Sequence, residues 1–278
     1  MPKPVWFITG CSTGFGRELA ALLLSQGYRV AATARDTRSL EALIAGHEKN
    51  AMPLALDVRD KGAIAEAVAA AQARFGQIDV LVNNAGYGYF SAIEEGEDPA
   101  VRAMFETNVF GLIEVTKAVL PDMRERRAGH ILNLSSIGGL ISFAGAGYYH
   151  ATKFAVEGLS MALAQEVAPL GIKVILVEPG AFRTDFHGRS VAMTQTEIAD
   201  YAPTAGLRRA QTRERSGNQP GDPVRGAQAM IDVVAAENPP MHLLLGASAL
   251  RLAREGLAAK AKDFDTWEAT TLGADFPA

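Results

Sequence analysis

Val5-Trp6-Phe7-Ile8-Thr9-Gly10-Cys11-Ser12-Thr13-Gly14-Phe15-Gly16 is a short apolar run that ends in a glycine-rich turn, and Leu19, Ala20, Leu22 and Leu23 follow at helical spacing. An apolar run without polar alternation fits a strand covered on both faces, as in a parallel sheet. Strand, glycine turn and helix together form the setting of a dinucleotide fingerprint. The glycines let the backbone approach a pyrophosphate, whose charge then sits against the partial positive end of the helix. A glycine turn that holds no ligand would read the same way locally. The spacing is Gly-x-x-x-Gly-x-Gly, and Arg17-Glu18 stand where a P-loop carries Lys followed by Ser or Thr, so a nucleotide triphosphatase is disfavoured.

Outward from this stretch the chain alternates strand and helix patterns. Tyr28 to Ala34, Met52 to Leu56, Ile78 to Val82, His130 to Leu134, Ile172 to Val177 and His242 to Leu245 read as strands. Helical patterns fall at Thr37 to about Gly46, Ala63 to Phe75, Val101 to Arg126, from near Tyr148, and at Ala247 to Lys262, while Asp222-Pro223 supplies the cap and first position of another. So regular an alternation predicts one α/β domain over residues 1–278, a doubly wound parallel sheet of the Rossmann type with ligands at the carboxyl ends of its strands. After the sixth strand the pattern loosens from Asp185 to about Gly221, with Arg208, Arg209, Arg213 and Arg215 in its later part. Residues 185–221 are too long for a simple connection and read as a mobile substrate lid with one or two short helices, its basic run solvated.

Composition sets bounds on partners. At 278 residues, 48% apolar and 21% charged, the chain can bury a substantial core and is not dominated by disorder. The net charge of −4, with Lys and Arg spread along the sequence, disfavours nucleic acid and anionic membrane as partners. No run approaches the ~20 apolar residues of a membrane span, and the N-terminus lacks a signal-peptide pattern, so a soluble cytoplasmic protein is expected. Cys11 is the only cysteine, which excludes an intrachain disulfide and a multi-cysteine metal site; no metal is expected.

Tyr149-His150-Ala151-Thr152-Lys153, preceded by Ser135-Ser136, is the candidate chemistry. On a helix Tyr149 and Lys153 stand at i and i+4 and share a face about one turn apart. A phenol ordinarily titrates at about 10, and a cation within roughly 4–6 Å pulls it down towards neutrality. Such a group can give and take a proton, as carbonyl reduction or alcohol oxidation requires. The spacing alone is weak, since any amphipathic helix can carry it. The second strand ends in Thr33-Ala34-Arg35-Asp36. NAD-selective sites place a carboxylate near that strand end for the ribose 2′-hydroxyl, whereas an Arg accommodates a 2′-phosphate. Ala34 followed by Arg35 therefore favours NADP over NAD, with Asp36 counting the other way.

Thr9-Gly10-x-x-x-Gly14-x-Gly16, Asp57, Asn83-Asn84-Ala85-Gly86, Asn108, Ser136, Tyr149-x-x-x-Lys153 and Pro179-Gly180 jointly resemble the motifs of the short-chain dehydrogenase/reductase family, in its order and approximate spacing. Residues 10–16 and 179–184 look like its branch of hydroxysteroid and retinol dehydrogenases and their bacterial relatives. The resemblance implies Tyr149 as acid/base, Lys153 as holder of the nicotinamide ribose, Ser136 as donor to the substrate oxygen, and Asn108 as holder of a water in a proton relay reaching Lys153. It also implies pyrophosphate contacts from Gly10, Gly14 and Gly16, with Ser12, Thr13 and Phe15 in the same turn, and an adenine contact from Asp57 with Val58 beside it. Asn83, Asn84, Ala85 and Gly86 would line the cofactor path, Pro179, Gly180 and Phe182 would flank it, and Thr184 would bond the carboxamide.

The implied activity is hydride transfer between NADP(H) and a secondary alcohol or ketone of apolar character. Its candidate walls are Tyr87, Tyr89, Phe90, Phe143, Phe182, Phe186 and Met193. A homodimer or homotetramer through the two long helices is implied as well. Two other classes remain open at this point: a non-catalytic cofactor sensor, expected to have lost the acid/base, and an epimerase or dehydratase, whose relatives carry a larger C-terminal region.

Overall fold

Runs of Val, Ile, Leu and Ala with no polar alternation must be covered on both faces, and in the computed structural model, which describes residues 3–188, 190–214 and 217–276, they form one parallel sheet. Its strands are β1 (Val5–Ile8), β2 (Arg29–Ala34), β3 (Ala51–Ala55), β4 (Val80–Asn83), β5 (Gly129–Leu134), β6 (Ile172–Pro179) and β7 (His242–Leu245). In space the order is β3-β2-β1-β4-β5-β6-β7, every neighbouring pair parallel. The order turns around between β1 and β4, which opens a crevice over the carboxyl ends of the strands.

Successive side chains of one strand serve opposite faces. Trp6 and Ile8 join a core closed by the helices Gly14–Ser25 and Pro223–Ala235, while Phe7 joins one closed by Lys61–Phe75, Leu112–Arg126 and Gly147–Val167. The expected helix after Thr37 is split into a 3-10 turn, Thr37–Leu40, and a single helical turn, Glu41–Ile44. The long helix read around Val101 runs as Asp98–Phe105, a π-helical turn Glu106–Gly111, and Leu112–Arg126. Among the described residues no helix is long and apolar enough to cross a membrane.

The glycine turn needs glycine for two different reasons. Gly10 and Gly14 take φ of +73° and +60°, where a side chain is strained. Gly16 is needed for closeness, because a Cβ there would lie 2.5 Å from Asn84 Nδ2 and 2.5 Å from the Gly10 carbonyl oxygen. Gly16→Ala is therefore expected to destabilise the protein by about 1–3 kcal/mol. Thermal unfolding checks this, and an unchanged midpoint would mean that the turn yields freely.

Residues 185–221 hold more structure than the one or two short helices expected. They contain a 3-10 turn Asp185–His187, a strand Val191–Met193, a further 3-10 turn Ala199–Tyr201, a π-helical turn Ala202–Gly206 and the helix Leu207–Glu214. The strand pairs in parallel with Gly88–Phe90, a partner the sequence pattern did not reveal because three residues are too few to show a period. Glu97 Oε1 accepts the Gln195 amide at 2.9 Å and the Thr194 hydroxyl at 3.0 Å, and its other oxygen accepts the Tyr89 hydroxyl.

The basic run is not uniformly solvated, contrary to the sequence reading. Arg209 is 2% exposed and bonds Glu95, a residue 114 positions earlier. The Arg208 guanidinium lies 4.7 Å from the centroid of the Phe143 ring, Arg213 is exposed, and Arg215 falls outside the described residues.

Candidate active site

β5 delivers Ser135 and Ser136 at its carboxyl end, and Ser136 caps the turn that follows, its Oγ accepting the Gly138 amide at 3.0 Å. The helix Gly147–Val167 passes this end and presents Tyr149 and Lys153, each 7% exposed, on one face. The Ser136 side chain is near enough to the Tyr149 phenol to lower its pKa. Lys153 Nζ donates to the Leu134 carbonyl at 2.6 Å and stands 5.7 Å from the centroid of the Tyr149 ring. The residues expected to act together are together.

Their electrostatics differ from the sequence expectation. Burial pushes the Tyr149 phenol up to about 12, with the Ser136 hydrogen bond working against it. Burial also pulls Lys153 down to about 8, with the Glu157 charge opposing. The Lys153 ammonium faces a ring and a main-chain oxygen, and its attraction does not offset the desolvation of the phenolate.

Tyr87, Tyr89, Phe90, Phe186 and Met193 gather around Tyr149 in one apolar cluster, with the Phe186 and Phe90 rings 5.4 Å and 6.1 Å from its own. Phe143 is set one step away, edge-on to His150 at 5.5 Å. Phe182 is not part of this wall. It stacks on Phe15 at 4.9 Å in the core, where Cβ atoms at Gly221 and Gly226 would come within 2.6 Å of these two rings. The sequence could not separate packing aromatics from wall aromatics, because both follow strand ends.

Asn108 lies in the π-helical turn, a local geometry that recurs at functional sites. Its Nδ2 donates to the Tyr87 carbonyl at 2.8 Å and to Thr152 Oγ1 at 3.2 Å, and its Oδ1 accepts the Tyr87 amide at 3.0 Å. Asn83 bonds Thr116 and Asn133, each at 2.9 Å, and Asn133 donates to Ser160 at 2.8 Å. This buried polar ladder ties β4, β5 and two helices into one unit beneath the site. Asn133, Thr116 and Ser160 were missed, although a lone Asn inside the apolar run of β5 was the available signal.

Ser12, Thr13, Gly14 and Arg17 on one side, and Thr184 and Gly188 on the other, line a cleft of about 480 Å³. Thr13, at the N-cap of the helix Gly14–Ser25, makes no side-chain cap bond, and the first turn carries no acidic residue. The helix start thus offers its N–H groups to an anion, which fits a pyrophosphate. Asn84 Nδ2 donates to the Thr9 and Gly10 carbonyls at 2.8 and 2.9 Å, while the Asn84 and Ala85 amides reach Thr9 Oγ1, so these residues brace the turn. A Cβ at Gly86 would lie 3.0 Å from Asn108 Oδ1.

Pro179 closes β6, and the Gly180 amide donates to the Leu245 carbonyl at 3.0 Å, which fixes where the chain leaves the sheet. At the end of β2, Arg35 is exposed. The neighbouring Asp36 accepts the Arg38 amide and guanidinium, which hold its carboxyl below the usual carboxylate range. Asp57 is likewise bonded by the Arg59 amide at 3.0 Å and by its guanidinium, and Val58 beside it is buried against Gly111.

Over residues 4–195 the chain matches the family model described as short chain dehydrogenase. An oxidoreductase of Botryotinia fuckeliana is 37% identical over 271 residues, 97% of this chain and 98% of that one. A 3-ketodihydrosphingosine reductase of Bacteroides thetaiotaomicron is 38% identical over 249 residues, 88% and 89% of the two chains. The solved structure of a short-chain dehydrogenase from Streptomyces avermitilis matches with a TM-score of 0.92 at 42% identity, covering 98% of this chain and 100% of that one.

Proposed function

The chain belongs to the short-chain dehydrogenase family, and from that premise we propose that it transfers hydride between NADP(H) and a secondary alcohol or ketone with Tyr149 as general acid/base. The observation that carries this reading is buried Tyr149 with Lys153 one turn along and Ser136 at the adjoining strand end, in a fold whose cleft starts at an uncapped helix. A bound nicotinamide nucleotide supplies or accepts the hydride. The residues of this chain would handle the oxygen: in reduction, negative charge grows on it, and Ser136 and Tyr149 would donate to it. The proton leaves Tyr149 Oη, and the Lys153 ammonium stabilises the phenolate left behind.

Thr13 and Gly14 would hold the pyrophosphate, Asp57 the adenine end and Thr184 the carboxamide. The Asn108 side-chain N–H groups are both engaged, so its part in a proton relay would run through the main chain or its remaining acceptor. Phe186, three residues from the cleft-lining residue 183, covers Tyr149, which supports residues 185–221 as a lid over an apolar substrate. A relative named as a keto-compound reductase points the same way. Exposed Phe154, Leu159 and Met161 on the helix Gly147–Val167, with Phe110 in the π-helical turn, support a homo-oligomer.

NADP is favoured because Asp36 is committed to Arg38 while Arg35 remains exposed at the strand end. Arg35→Ala is expected to weaken NADPH about tenfold, roughly 1.4 kcal/mol, and to leave NADH unchanged in a fluorescence titration. Equal affinity of the parent for NADH and NADPH would remove the preference. Incubation with NADPH and a panel of carbonyl compounds tests the activity: consumption of the cofactor supports it. Product without net consumption would indicate an epimerase or dehydratase, and binding alone a sensor.

A further inference from the structure

One turn beyond Lys153, at i+4 on the same helix, stands Glu157, 3% exposed. Its Oε1 accepts the Ser135 hydroxyl, while its Oε2 is buried with no hydrogen-bond partner. Glu178 on β6 is fully buried, and it too has an oxygen with no partner. His242, the first residue of β7 at the sheet edge, completes the group: its Nδ1 is 2.6 Å from Glu178 Oε1 and 3.8 Å from Glu157 Oε2. The His242 side chain is 42% exposed, so the group runs from the helical turn after Lys153 to solvent.

Two buried carboxyl groups with oxygens within 4.8 Å of one another cannot both carry charge cheaply. A proton shared between them would satisfy both unpartnered oxygens. The titratable and charged groups that face Glu157 are Lys153 from its own helix, Glu178 from β6 and His242 from β7, with the Ser135 hydroxyl from the end of β5. Glu157, Glu178 and His242 have no part in the proton transfer from Tyr149.

We propose that Glu157 is a positioning residue whose carboxylate keeps Lys153 in its ammonium form, and that Glu178 and His242 set the charge Glu157 carries, linking the site to solvent at the sheet edge. This rests on the oxidoreductase reading, in which the Lys153 ammonium holds the nucleotide ribose and stabilises the Tyr149 phenolate. Burial lifts Glu157 to about 7, with Ser135 opposing, Glu178 adding and His242 opposing, while Lys153 is drawn down to about 8. Above about 7 Glu157 is therefore charged, in the range where Lys153 begins to lose its proton. Neutralising Glu157 removes the negative charge that works against the desolvation of Lys153, so the ammonium is lost at lower pH.

NADPH affinity followed by fluorescence from acid to alkaline pH reads this without needing the substrate. The parent is expected to lose affinity with an inflection near 8. Glu157→Gln, which preserves shape, should move that inflection down by roughly one pH unit, the usual effect of removing a nearby opposite charge. Glu157→Asp should restore most of it. His242→Gln, at the exposed edge and gentle on folding, should move it the same way by less. A purely structural Glu157 would weaken binding at every pH and leave the inflection in place, which overturns the proposal. So would a parent that binds NADPH with no alkaline inflection. A parent that binds no nicotinamide nucleotide at all would instead overturn the oxidoreductase reading beneath it.

Discussion

Replacing Tyr149 by Phe is expected to lower turnover about 10²–10⁴-fold and to leave NADPH affinity and thermal stability close to those of the parent. The three expectations follow from different atoms of one side chain. The ring packs against Phe186 at 5.4 Å and Phe90 at 6.1 Å in an apolar cluster, and Phe keeps every one of those contacts. The hydroxyl is what the substitution removes, and nearby Ser136 keeps its bond from the Gly138 amide. Because burial holds the phenol at about 12, Tyr149 stands protonated at neutral pH, the form the proposed role needs in the reductive direction. The oxidative direction needs the phenolate and so leans on Lys153. The loss should therefore appear in kcat, measured in both directions with a saturating carbonyl or alcohol. Turnover equal to the parent would remove Tyr149 from the proton transfer altogether.

That reversal of the Tyr149 shift shows where a sequence stops being readable. The i, i+4 spacing of Tyr149 and Lys153 follows from helix geometry alone, and the structure brings both to one face. How much water reaches them depends on Phe90, Phe186 and Met193, which arrive from two stretches far apart in the chain, and no spacing encodes that. β1 was legible because a strand buried on both faces has no room for polar residues, and its turn because Gly10 and Gly14 adopt a φ that only glycine takes cheaply. The π-helical turn at Asn108 left no mark, since its residues read as ordinary helix. Glu157, Glu178 and His242 lie on three different elements, and each alone looks like an isolated polar residue. Partnerships across long chain separation, such as Glu95 with Arg209, are invisible for the same reason. Local rules give elements and single residues, whereas burial and pairing come only from the fold.

Glu95→Gln should destabilise the protein by about 3–5 kcal/mol, because it leaves the buried Arg209 guanidinium with only the exposed Glu197 carboxylate, 3.7 Å away, as counter-charge. The side chains of Glu95 and Arg209 are 0% and 3% exposed, so solvent cannot take over the lost interaction. Glu95 also accepts the Ala92 amide at 3.0 Å and the Ile198 amide at 2.9 Å, which joins the stretch before the Asp98 helix directly to residues 190–214. Two outcomes of the substitution are distinguishable. If the segment stays seated, the full cost falls on global unfolding and the melting temperature drops by on the order of 10 °C. If it releases locally, the midpoint moves less, but protease cuts appear within residues 190–214. Since Phe186 belongs to the same excursion and lies against Tyr149, release should also raise KM for an apolar substrate more than it lowers kcat. Adding Arg209→Met to Glu95→Gln removes the stranded charge and should recover much of the stability, the pattern expected of a buried pair whose net worth is smaller than the cost of halving it. A Glu95→Gln protein that melts and resists protease like the parent would mean that the backbone pairing of Gly88–Phe90 with Val191–Met193 holds the segment unaided.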